Sequence, residues 1–361
     1  MTDLAVFKAT VSHEAPDRIL YKASFSDDLT RRLVEYIGHE RIHEHFGFWT
    51  PVFVSPRAKP TEPPKEKFAR YWRNRDLPEG TTINAYGVAS VPSGYYHFWG
   101  YLSPLAEAES LAEIESYPLP EFIDTESEIE RLREQVKQRH AKGQVVAGSV
   151  GHIFEIAWQI RGYEQFITDL VVNPSWAQCL LERVGEMALK KAKAAAAAGV
   201  DYLHCGDDVA DQRSLMFAPD IWRRFMLSQW RQVWQEARRI NPDILIWYHS
   251  DGNIIDIIPD LIDAGLNILN PLQPECLDID KVYRLYGSVL TFDGTIGTQS
   301  TMPFGTPQDV EKRVAGVIQA YGRSGGLIIS PTHLLEPDVP VENVVALAEA
   351  CRRYGRKNRS A

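Results

Sequence analysis

His249 and Asp251, separated by one residue in YHSDGNI, are of the types and spacing that bind metal ions. Residues two apart on a strand project to the same face. The imidazole and the carboxylate can therefore converge on one cation while Ser250 turns away. His333 and Glu336, in SPTHLLEPDVP, could bring a second imidazole and a second carboxylate to the same centre. Such a set suits zinc, and also manganese or iron, because oxygen in place of sulfur hardens the site. Without a metal, Asp251-Gly252 reads as a turn whose Asp caps the next helix, and His333 and Glu336 satisfy backbone groups ahead of the stiff Pro337.

A second acidic group, CGDDVADQ, carries Asp207, Asp208 and Asp211. Neighbouring carboxylates raise one another's pKa, which suits proton transfer near neutrality, so Asp207 and Asp208 are the catalytic candidates. Adjacent residues face opposite ways. One of the two is expected in a pocket and the other capping the loop. Cys205 is either a soft ligand or strand packing. Glu155, Gln273 and Gln299 are candidate substrate contacts, as is Tyr96 within the aromatic run at 95–99, which could close over a flat or methylated ligand. The alternatives are an internal ion pair of Glu155 with Arg161 and plain core packing of the aromatics.

These residues sit where apolar, β-rich runs give way to loops. Six such runs, at 145–150, 202–205, 244–249, 267–269, 289–292 and 327–330, alternate with helical patterns such as 175–198 and 219–239. With 18–25 as a first strand and 87–91 as the eighth, the expectation is a single closed (β/α)8 barrel, an α/β fold, over residues 1–361. Residues 52–120, rich in Pro, Gly and aromatics, read as an irregular insertion or lid. In a barrel the motifs above fall at the C-terminal ends of the strands, where catalysis occurs.

Composition narrows the partners. The chain has 44% hydrophobic and 24% charged residues, enough for a large core without staples. Its net charge of −9 disfavours nucleic acid and anionic membranes. Four scattered cysteines imply reduced thiols. With no signal-like or membrane-spanning run, a cytoplasmic location is expected.

Taken in order with GHIFEIAWQIRGYEQF, LNPLQPE and FDGTIGTQSTMPFGTP, the three strand-end motifs resemble the uroporphyrinogen decarboxylase superfamily over roughly residues 15 to 350. True decarboxylases of that group carry an arginine-rich PVWxMRQAGRY-like stretch near the first strand. Here RILYKASFSDDLTRR stands in its place, poorly suited to a polycarboxylate. The zinc-dependent methyltransferases of corrinoid pathways are more similar. Their His-x-Cys pair corresponds to His249 and Asp251, and their later cysteine to the Thr332-His333 position, so both thiolates are missing. The resemblance implies a metal-assisted methyltransferase or demethylase acting on a small methylated compound, with oxygen-rich ligation favouring a methoxy group. It further implies a divalent metal, zinc first, a corrinoid or corrinoid protein as methyl acceptor, and a homodimer. A metal-independent decarboxylase, in which an Asp such as Asp207 stabilises a cationic intermediate, and a noncatalytic tetrapyrrole-binding protein are the alternatives.

Overall fold

The computed structural model describes residues 1–93 and 99–356. Eight short strands, β1 (Leu20–Tyr21), β2 (Val52–Val54), β3 (Val146–Gly151), β4 (Tyr202–Gly206), β5 (Leu245–His249), β6 (Ile268–Asn270), β7 (Thr291–Asp293) and β8 (Leu327–Ile329), form one sheet. Its order is β1-β8-β7-β6-β5-β4-β3-β2 and every pairing is parallel. This is the sequential order of a (β/α)8 barrel, curled but open. The strand ladder stops at the β1/β2 seam, which is bridged by one backbone bond from the Trp49 N–H to the Tyr21 carbonyl at 2.7 Å. The expected closed ladder is corrected accordingly.

The eighth strand is also not where the sequence suggested. Residues 87–91 lie in a separate antiparallel sheet built from Thr82–Ile83, Ala89–Pro92 and Trp99–Leu102. The barrel strand is Val52–Val54, pressed between Pro51 and Pro56 and too short for an alternating pattern to register. The stretch following it is not irregular throughout. It holds short helices and a buried aromatic group in which Phe68 stacks on Tyr117 at 5.6 Å.

Strand alternation divides the core in two. Leu20, Ala147, Tyr202, Trp247, Ile268 and Ile328 point into the barrel, where Val6 and Phe7 of the helix Asp3–Val11 meet them. That helix plugs the barrel's N-terminal end, with Phe7 against Trp49 and Tyr202. Leu203, Ile246, Tyr248, Leu269, Phe292 and Ile329 point outward and pack under the helices. The alanine-rich helix Pro174–Ala198 approaches so closely that a Cβ at Gly148 would lie 2.5 Å from Ala195. Small residues on both elements permit that distance. The helix expected at 219–239 is interrupted by a widened π turn at Arg223–Leu227. Among the described residues no helix is long and apolar enough to cross a membrane.

Candidate active site

At the C-terminal end of the sheet, His249 is in register with Gly206 on one side and Asn270 on the other. Gly206 leaves room for it, since a Cβ there would fall 2.7 Å from that of His249. Asn270 donates an Nδ2–H to the Asp293 carbonyl, which turns its Oδ1 towards His249 Nδ1 at 2.6 Å. The proton therefore belongs on Nδ1 and the lone pair on Nε2. That lone pair faces two carboxylates, with Asp208 Oδ1 at 3.6 Å and Asp251 Oδ1 at 3.9 Å. Asp208 Oδ1 also accepts the Asp251 N–H at 2.8 Å. Asp251 Oδ1 is buried and takes no hydrogen bond from the described residues. Burial raises the Asp251 carboxyl above the ordinary carboxylate range, opposed by His249. One ligand atom each from Asp208, His249 and Asp251 lies within 4.8 Å of the others, close enough to share a cation.

The set differs from the one proposed from spacing. Asp208, on the neighbouring strand end, joins His249 and Asp251. His333 lines the same cavity with its ring centroid 6.4 Å from that of His249, but belongs to neither cluster of potential ligands. Glu336 lines neither the cavity nor a cluster. The cavity measures about 520 Å³ and is walled by Trp49, Phe53, His152, Glu155, Asp208, His249 and His333 among others. On its floor, His204 stacks on Trp247 at 3.8 Å. Burial, with Lys22 and His249 nearby, pushes the His204 ring down to about 2. Lys22 Nζ pairs with buried Asp293 at 2.6 Å, and Asp293 also accepts bonds from the Trp247 indole and the Ser330 hydroxyl.

Asp207 takes a different place. It is fully buried and absent from the cavity lining. Its Oδ1 accepts the N–H groups of Ile153 and Glu155 at 2.8 and 3.2 Å, and its Oδ2 accepts the Trp230 indole at 2.7 Å. It caps, from another loop, the helix Phe154–Arg161, which has no side-chain cap of its own. Burial pushes its carboxyl up to about 7, although the three donors favour the ionised form. A second potential cluster of ligands comprises His152, Glu155 and Asp207. Within it His152 Nδ1 lies 2.5 Å from Glu155 Oε1, which also accepts the Asp208 N–H. Burial works against a charged His152 ring, yet Glu155, Asp207 and Asp208 hold it up at about 9. Glu155 thus pairs with His152, whereas Arg161 pairs with Asp169.

The other candidates hold loops together. Gln273 Oε1 accepts the Gly252 N–H beside Asp251, and Gln299 Oε1 accepts from Gln212 Nε2. Asp211 Oδ1 closes its own turn on the N–H groups of Arg213 and Ser214. Cys205 is buried, its thiol directed at the Trp247 carbonyl. Tyr96 lies outside the described residues. Sequence reasoning passed over His152 and His204. The glycine turn ahead of His152 and the His-x-x-Glu spacing were the available signals for the former.

Comparison with known proteins agrees with this architecture. The family described as uroporphyrinogen decarboxylase (URO-D) matches residues 103–354. A uroporphyrinogen decarboxylase of Coxiella burnetii is 21% identical over 192 residues, 52% of this chain and 50% of that protein. The chain thus spans about half the length of that relative. A Legionella pneumophila uroporphyrinogen decarboxylase is 20% identical over 258 residues, 69% of each chain. Among solved structures, a methyltransferase from Methanosarcina mazei superposes with a TM-score of 0.64 at 17% identity, over 98% of this chain and 99% of that one. At that identity the likeness concerns the fold.

Proposed function

The chain belongs to the uroporphyrinogen decarboxylase family, and from that premise we propose that it is a metal-assisted enzyme that moves a methyl group from or to a small methoxy-type compound. Asp208, His249 and Asp251 would hold the divalent cation, with zinc the first choice and a corrinoid the methyl acceptor. The carrying observation is the His249 Nε2 lone pair facing two carboxylate oxygens, one of them buried without a hydrogen bond. Three such acceptors repel one another unless a cation or a proton lies between them. When bound, the metal would supply Lewis-acid polarisation of a substrate heteroatom.

The protein's own groups have defined tasks in this reading. Asn270 orients the His249 ring and fixes its tautomer. Gln273 holds the backbone turn that carries Asp251. His333 and Glu155, which both line the cavity, would contact substrate, and the Trp49, Phe53 and Trp247 rings would exclude water from it. The cytoplasm, a single barrel domain over the whole chain and a homodimer complete the proposal.

Decarboxylation without metal is the second reading, favoured by the decarboxylase matches. Against a porphyrinogen, no arginine lines the cavity among the described residues, and its lysine is engaged by Asp293. Several carboxylates would lack the bidentate partners they require. A tetrapyrrole-binding protein without catalysis gives no account of the clustered ionisable groups. Elemental analysis of the native protein, His249→Ala, Asp251→Ala and His333→Ala tests the proposal. Stoichiometric metal is expected in the native protein and in His333→Ala, with affinity reduced about tenfold or more in the other two. A metal-free native protein with full decarboxylase activity would establish the second reading instead.

A further inference from the structure

We propose that Lys22 anchors a carboxylate of the substrate, so that the compound bound here is a small methoxy acid with its anionic end at Lys22 and its methyl-bearing end at His249. The inference rests on the methyl-transfer reading above and names the charge class of its substrate. Lys22 directly follows β1 and lines the cavity, and among the described residues no other lysine or arginine does. Its ammonium lies 2.6 Å from Asp293, 5.3 Å from the centroid of the Trp247 ring and 6.0 Å from that of Trp49. The carboxylate and the two ring faces hold it in place. An ammonium has three N–H donors. Asp293 is its one paired carboxylate among the described residues, and the side chain stays 24% exposed in the cavity wall, so donors remain for a ligand. Trp49, buried in the same wall, has an indole N–H with no acceptor among the described residues, a further donor beside the lysine.

Charge separates the two ends of the cavity. Asp208 and Glu155 line it with His249, and Asp251 stands beside them. A ligand with one negative end is repelled there and attracted at Lys22, which sets its direction of binding. Asp293 selects the kind of anion. One carboxylate can share the ammonium with it, whereas a phosphate dianion would bring two charges beside a buried carboxylate. The lysine that cannot match a polycarboxylate therefore suits a single carboxylate.

Trp247 sets the length. Lys22 lies against its ring, and the His249 ring is stacked 6.0 Å from it with the planes 12° apart. The ammonium and the imidazole are thus no further apart than these two contacts placed end to end, a span that one substituted ring covers. Phe53, 50% exposed in the same wall, offers an apolar surface for the carbon skeleton.

Calorimetric titration of the full chain at pH 7 with 4-methoxybenzoate and with 4-methoxybenzamide, its uncharged counterpart, tests the anchor. The native protein should bind the acid about tenfold tighter or more than the amide. Lys22→Met should abolish that preference and change amide binding little. Because this variant leaves Asp293 buried without its partner, Lys22→Met combined with Asp293→Asn is measured beside it, with circular dichroism to check the fold, and the same loss is expected. Equal binding of acid and amide by the native protein, no binding of the acid, or an equal loss of both ligands in the folded variants would overturn the anchor. The titrations are run with and without zinc. A Lys22-dependent preference for the acid in protein that takes up no zinc would defeat the metal reading and leave the anchor standing. Stoichiometric zinc without such a preference would do the reverse.

Discussion

Asp207 and Asp208 are adjacent in the chain and end up with opposite surroundings, because consecutive residues leaving β4 face opposite ways. Asp208 enters the cavity beside His249, and Asp207 turns outward to cap a helix and hold the Trp230 indole. The same economy governs Asn270, whose one amide bonds the Asp293 carbonyl and His249 Nδ1 together. Removing it frees the His249 ring to rotate and to change tautomer. In Asn270→Ala, zinc affinity should therefore fall about tenfold or more while the fold is kept. Titration with a competing chelator, with circular dichroism as the control, measures this. Unchanged affinity would show that His249 is not oriented through Asn270.

Among the elements, the ends of β4 and β5 and the turns that follow them bear the cluster of Asp208, His249 and Asp251. The Asp251 turn depends on Gly252, which has φ +86° and would place a Cβ 2.4 Å from the Asp211 carbonyl oxygen. Alanine there meets backbone, which has no rotamer to yield, in a conformation L side chains avoid. Gly252→Ala is expected to destabilise by more than about 1 kcal/mol and to weaken metal binding, because Asp251 moves with the turn. Gly316, inside the helix Pro307–Tyr321 with nothing within 4 Å of an added Cβ, is the contrasting site. Gly316→Ala should be neutral or stabilise by up to about 1 kcal/mol. Chemical denaturation of the pair, with metal titration of the first, tests both.

For the molecule as a whole, the two ends of the barrel are separate in composition. The N-terminal end is closed by Phe7, 1% exposed, against Trp49 and Tyr202, whereas the C-terminal end opens into the cavity that holds Asp208, His249 and His333. Phe7→Ala would leave a cavity beneath the floor and should cost about 3–5 kcal/mol. It should appear as a lower denaturation midpoint at unchanged slope. Metal affinity of the folded fraction should stay as in the native protein. A parallel loss of metal would show that the plug sets the geometry of the mouth.

How much of this was legible beforehand follows from the range of each interaction. Seven of the eight strands, the barrel order and the pairing of His249 with Asp251 depend on neighbouring residues, through buried apolar runs and a two-residue repeat, and these were readable from the sequence. Strand β2 was not, because three residues between prolines carry no measurable period. The grouping of Asp208, and not of His333 or Glu336, with the ligand atoms of His249 and Asp251 follows from the parallel register that sets Gly206 against His249. The commitment of Asp207 to a helix start 54 residues upstream was equally out of reach. Local spacing determines which side chains share a face. Which faces meet, at what distance and with which hydrogen bonds already taken, is decided only when strands far apart in the chain come into register.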